Sequence, residues 1–205
     1  MKKYEFTGEV KNWFGHTLHR IRATVAFGNV SAGELGGWIE KEENLSHDCN
    51  AWVYGEARVF GKAQVYGEAR VFGKAWVYGE ARVFGEARVF GEARVYGEAR
   101  VFGEARVFGE ARVFGEAQVY GEARVFGKAW VFGEAHWLGI ACIGSRSDFT
   151  TFFRTKDLKI FVSCGCFCGD IDSFAEKVKQ THGNNRHAKA YFAAIELAKI
   201  KIDLT

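Results

Sequence analysis

The sequence predicts a mainly β fold, a parallel β-solenoid of the left-handed β-helix type, and three observations predict it. From Ala51 to Glu134 one six-residue phrase, most often Ala-Arg-Val-Phe-Gly-Glu, returns fourteen times. Six residues are too few for a helical repeat but suit a short strand that stacks coil on coil, each burying what its neighbour leaves open. Within the phrase Ala and Val alternate with polar or aromatic residues, the period of a strand buried on one face. Gly ends each strand, supplying the backbone freedom that a tight corner needs.

These rules orient the side chains. Ala51 and Val53 face inward, Trp52 and Tyr54 outward, and Gly55-Glu56 turn the corner; the same reading runs to Ala129, Val131 and Gly133. Such small inward residues fit a narrow triangular core in which three phrases make one coil of 18. The rod then has nearly five coils and is about 23 Å long, at about 4.8 Å per stacked strand.

Along the chain, residues 1–36 read as a β-rich cap, with strands at Tyr4-Glu-Phe and Leu18 to Phe27. Residues 37–144 form the β-helix, imperfect in its first coil up to Asn50 and plugged distally by Trp137 in place of an inward Val. Residues 145–205 form a ββαα module. Its hairpin joins Phe149–Arg154 to Leu158–Cys164 around Thr155-Lys-Asp157. Asp172 or Ser173 caps a helix that Gly183-Asn-Asn ends, and a second helix runs from His187 to about Ile200. Tyr191, Phe192, Ile195, Leu197 and Ala198 give that helix an apolar stripe to pack on the hairpin.

Folded at 18 residues, the outward positions sort into three faces. The first carries Trp52, Arg70, Arg88, Arg106 and Arg124 beside Tyr54, Phe72, Phe90, Phe108 and Phe126. The second carries Arg58, Trp76, Arg94, Arg112 and Trp130; the third carries Gln64, Arg82, Arg100, Gln118 and His136. The first is the most regular, so Arg70, Arg88, Arg106, Arg124, Phe72, Phe90, Phe108 and Phe126 are the candidate binding residues. Lys replaces the corner Glu at Lys62, Lys74 and Lys128, and each time the outward residue two positions on is Gln64, Trp76 or Trp130, never Arg. Ion pairing between corner Glu and outward Arg accounts for that rule at sequence level.

The formal charge of +3 gives little reason for general nucleic-acid binding. Met1-Lys-Lys-Tyr-Glu5 does not open a signal peptide and no apolar run reaches membrane-spanning length, so a cytoplasmic protein with no membrane partner is expected. Five cysteines are then reduced thiols. Cys164, Cys166 and Cys168, read as one strand, lie on one side of it; with His182 or His187 as a fourth donor they are the only metal candidate, but the spacing departs from structural zinc sites and no metal is expected.

Gly36-Gly-Trp-Ile-Glu-Lys-Glu-Glu-Asn-Leu-Ser46, the Ala-Trp-Val-Tyr-Gly and Ala-Arg-Val-Phe-Gly phrases, and Cys164-Gly-Cys-Phe with Thr181-His-Gly-Asn-Asn185 together resemble hexapeptide-repeat proteins of bacteriophages and prophages. The resemblance covers most of the chain. It implies a left-handed β-helix and a phage-related origin, with the host bacterial cytoplasm as location, and brings no settled activity.

Left-handed β-helices also include acyltransferases, which use a His beside a loop extruded from a coil; no loop interrupts residues 51–134. His136, at an outward Arg-column position, reads as a tolerated polar substitution. A Cys164–His182 nucleophile pair would need a contact in space. The expected function is therefore non-enzymatic, with no catalytic residues and no cofactor: a phage-encoded protein that inhibits or sequesters a host factor, with antiviral defence as one such target. The alternatives are a hexapeptide-type acyltransferase and a purely structural spacer. The expected partner is a host protein or a small nucleotide, not duplex DNA, whose 3.4 Å rise does not match rungs near 4.8 Å. Fourteen outward aromatics also predict a homodimer.

Overall fold

The computed structural model describes residues 2–205. Each phrase forms a two-residue strand, from Trp52–Val53 to Trp130–Val131, and pairs in parallel with strands 18 residues away, as Arg88 does with Arg70 and Arg106. The result is a parallel β-solenoid with three sheets and about five coils. Every repeat Ala and Val from Ala57 to Val125 is at most 1% exposed. The amides of Arg88, Phe90 and Glu92 donate to the carbonyls of Ala105, Val107 and Gly109 at 2.8–3.0 Å, so half of each phrase's backbone is satisfied by the next coil.

The corners allow little change. Gly91 has φ +72, and a Cβ there would stand 2.9 Å from the amide nitrogen of Gly109, which is backbone and cannot step aside. Gly91→Ala should therefore cost about 2 kcal/mol or more. Urea unfolding that gives parental stability would contradict this reading of the corners.

A solenoid leaves backbone groups unpaired at its first coil, and the N-terminal segment covers them. β1 (Tyr4–Trp13) and β2 (His16–Ala23) form a hairpin whose two-residue turn, Phe14-Gly15, has positive φ at both positions. β2 pairs with β3 (Leu35–Ile39), which runs parallel to Arg58–Val59, so the hairpin extends one solenoid sheet. Buried Asn44 donates to the carbonyls of Gly61 and Ala63 at 3.1 and 2.8 Å, and Lys3 Nζ donates to that of Ala51 at 2.8 Å. Trp52 is corrected here. Its strand position points outward, yet it is fully buried because Tyr4 and Phe27 pack edge-on against it.

Burial lowers the Lys3 ammonium to about 8 against an ordinary value of 10.5. Between those values the unfolded chain holds this proton and the folded chain does not, so Lys3 makes stability rise with pH over that window. Lys3→Met should remove that rise between pH 8 and about 9.5, before tyrosines titrate. Parallel slopes for parent and variant in thermal melts would refute it.

The parallel pattern ends at Trp130–Val131, short of residue 144. Trp137–Ile143 instead pairs antiparallel with Asp148–Arg154, followed by Ile160–Cys164 and Phe167–Asp170, so the tail sheet has four strands rather than two. The reason is Trp137: too large for a Val position, it caps the rod core with its edge on Tyr120, centroids 5.1 Å apart, and redirects the chain. The expected hairpin around Thr155-Lys-Asp157 is present, but its second strand begins at Ile160 rather than Leu158, whose φ of 57 keeps it in the turn. α1 (Ile171–His182) is capped by Asp170 rather than Asp172 or Ser173, its carboxylate accepting from the Ser173 amide at 2.8 Å. α2 (Arg186–Lys201) is capped by Asn185 and buries Tyr191, Ile195 and Ala198 while leaving Leu197 exposed.

Candidate functional site

The first face is assembled as the 18-residue period requires. Arg70, Arg88, Arg106 and Arg124 stand in register on four successive strands. Beside them Phe72, Phe90, Phe108 and Phe126 stack with centroids 4.7, 4.8 and 5.0 Å apart and planes within 13° of parallel. The column is closed below by Tyr54, edge-on to Phe72, and above by tail residue Phe153, edge-on to Phe126. Stacking takes the ring faces out of water and leaves the edges. The four phenylalanines are accordingly half-buried, and of the fourteen repeat aromatics only Tyr120 and Phe132 are exposed.

One expectation about charge is corrected. Among the described residues no guanidinium of this ladder reaches a carboxylate within 4.0 Å; the single pair between a corner Glu and an outward repeat Arg is Glu56–Arg58 at 3.9 Å, and Glu56 also pairs with Arg20 of the cap at 3.3 Å. The ion pairs run along the columns instead, Lys62 to Glu80 at 2.8 Å and Lys74 to Glu92 at 3.5 Å, each one coil up. Lys therefore interrupts a column of like-charged glutamates; the absence of Arg after Lys has no account in these contacts. Nor do the first-face arginines lie over rings, since the rings spend their faces on each other. Cation–π contacts fall on the second face, where Trp side chains interrupt the ladder: Arg58 lies 4.0 Å from Trp13 and Arg94 4.2 Å from Trp76.

The tail touches the rod on two faces. On the first, the Arg124 amide donates to Thr151 Oγ1 at 3.0 Å, and a small notch brings Arg106 and Arg124 beside Asp148 and Phe149. On the second, the Lys156 amide donates to the Lys128 carbonyl at 3.0 Å beside a cleft of about 250 Å³ with mixed charge, where Arg94, Arg112, Lys128 and Lys156 meet Glu92, Glu110 and Asp157 around Trp130. Sequence reasoning missed this cleft, because Lys156 belongs to a turn whose docking no periodicity reports.

His136 is not an exposed substitution. It is 6% exposed, packed against Phe132 with centroids 3.8 Å apart and planes tilted by 36°, and burial with the nearby Arg154 charge lowers its pKa. Cys164, Cys166 and Cys168 do not share one side of a strand: Gly165-Cys166 is a turn, with Cys164 opposite Phe167 and Cys168 opposite Ser163. Cys164 and His182 line one cavity, but the partners of the sulfur are Thr150 Oγ1 at 3.2 Å and the Tyr191 hydroxyl at 3.5 Å, so no Cys–His pair forms. Among the described residues no group of three or more His, Cys, Asp or Glu side chains is placed to hold a metal ion, and no helix is long and apolar enough to cross a membrane.

Comparison with known families adds one similarity. Residues 63–79 and 117–133 match the family described as YdcK beta solenoid repeat, both stretches lying within the hexads. No curated protein matches the chain.

Proposed function

We propose that this protein is a non-catalytic binding protein whose solenoid is a rigid platform and whose contact surface is the first face, centred on Arg88, Arg106, Phe90 and Phe108. The observation that carries this reading is the unpaired guanidinium column, held in register beside a continuous aromatic column. Unpaired arginines beside aromatic edges are the residue types that dominate interface energy once water is excluded. The partner we infer is a protein of a bacterial host with an acidic, partly apolar surface, the chain acting as its inhibitor in the manner of a phage-encoded factor; an antiviral defence component is the first target class to test. A small nucleotide is the other ligand that such a column suits, through phosphate contacts to Arg.

Replacing Arg88 and Arg106 together by Glu tests this. Both are outward and free of salt bridges, so circular dichroism should show parental folding. The new charges would stand with corner Glu86 and Glu104 and repel an acidic partner. Capture of the partner from bacterial lysate, quantified by mass spectrometry against the parent, should fall by about tenfold or more. Equal capture by a folded double variant would reduce the face to a solvated wall.

Self-association through the same columns is part of the proposal. Light scattering should then give about twice 23.0 kDa at high concentration. A strict monomer there would exclude the homodimer and leave the whole face to a different partner.

A further inference from the structure

The tail module contains a cavity of about 230 Å³ between the tip of its last hairpin, α1 and Tyr191 of α2. Two segments distant in sequence meet there, Cys164-Gly-Cys-Phe167 and Thr181-His182. Phe167, Phe174 and Val178 give it apolar walls, and Arg146 and Lys177 bring positive charge against the single carboxylate of Asp148. That carboxylate already accepts from the Phe149 amide at 2.9 Å.

Its polar floor is a directed chain. The Thr150 hydroxyl donates to Cys164 Sγ at 3.2 Å, and the Cys164 thiol donates to the Tyr191 hydroxyl oxygen at 3.5 Å. Tyr191 is 7% exposed, and among the described residues the one hydrogen-bond partner of its hydroxyl is Cys164 Sγ, at 3.5 Å. Burial, with the Cys164 contact and the Asp148 charge adding to it, pushes this hydroxyl well above the ordinary tyrosine range, so it remains a donor at every physiological pH. A thiol is a weak partner for a hydroxyl that lines a cavity, so an oxygen acceptor entering there makes the stronger hydrogen bond. Gly144 serves the same arrangement, since a Cβ there would collide with the Tyr191 hydroxyl.

We propose that this cavity binds a small organic acid, its anionic head accepting from Tyr191 and facing Arg146 and Lys177, its flat apolar body held between Phe167, Phe174 and Val178. The head can be a carboxylate or a phosphoryl group, since both offer acceptor oxygens and negative charge to the same donors. The site adjoins the first-face notch, sharing Asp148 and Gly165 with it, but Tyr191 and Lys177 line this cavity alone, so their variants test it without touching the ladder.

Benzoate, phenyl phosphate and neutral benzyl alcohol titrated into the full ¹⁵N-labelled chain test the proposal. At least one acid should shift amides within residues 145–148, 164–167 and 177–182, and should bind about tenfold or more tighter than benzyl alcohol. Benzoate alone binding identifies a carboxylate head and phenyl phosphate alone a phosphoryl head; either supports the site. Tyr191→Phe should weaken binding by about tenfold, and Lys177→Gln by about threefold as expected for an exposed charge. Lys177 lies on the solvent side of α1, so its variant decides the matter if Tyr191→Phe does not fold. Failure of both acids to shift these amides, equal affinity for benzyl alcohol, or unchanged affinity in the folded variants would overturn the proposal.

Discussion

Everything in the rod follows from one constraint: an 18-residue coil places each side chain about 4.8 Å above its own counterpart in the coil below. A column must therefore be made of residues that tolerate their own kind. Val and Ala do so inside, where Val71, Val89, Val107 and Val125 share one buried column. Aromatic rings do so outside, and rings 4.7–5.0 Å apart make a continuous stack rather than isolated exposed groups. Charged columns gain nothing from the register and are repelled by it. Lys62 and Lys74 relieve two glutamate columns, whereas the first-face arginines are not relieved at all.

The same periodicity cannot finish itself. A first coil has no coil beneath it and a last coil none above, so the ends need different structures, and both are built by burying polar or large groups. Lys3 and Asn44 satisfy carbonyls below, while Trp137 and Phe153 close the core and the aromatic columns above. The cost shows in buried atoms without partners, among them His136 Nδ1 and Arg154 Nε at the upper end. Each lies where the periodic backbone gives way to a module with another geometry.

This division explains what the sequence could reveal. Strand direction, the inward Ala and Val, the corner glycines and the membership of each face are periodic, and periodicity survives in one dimension. Trp52 and His136 were misplaced because their burial comes from Tyr4, Phe27 and Arg154, residues remote in sequence. The three-cysteine segment misled for a local reason: Gly165, with φ +56, turns the chain in the middle of what alternation reads as a strand. Among the described residues, corner Glu and outward Arg, two apart in sequence, come within reach only at Glu56–Arg58, whereas Lys62 and Lys74 pair with residues 18 away, their nearest neighbours in a solenoid. Of the candidate site, the ladder was legible and the two tail cavities were not. Their walls come from turns and helix faces that meet only in the fold.

A repeating surface also limits recognition. A partner on the first face meets nearly equivalent sites one rung apart, so the ladder supplies affinity but cannot by itself fix the partner's register. Register has to come from where the repeat breaks. At the lower end the ladder stops at a buried Trp52, and at the upper end Arg106 and Arg124 share their notch with Asp148 and Phe149 of the tail. A ligand long enough to span the arginines would meet a carboxylate and a ring there, in one alignment only. The tail thus supplies what periodicity withholds, and its docking through Thr151 and Lys156 holds those irregular groups at a fixed height on the rod.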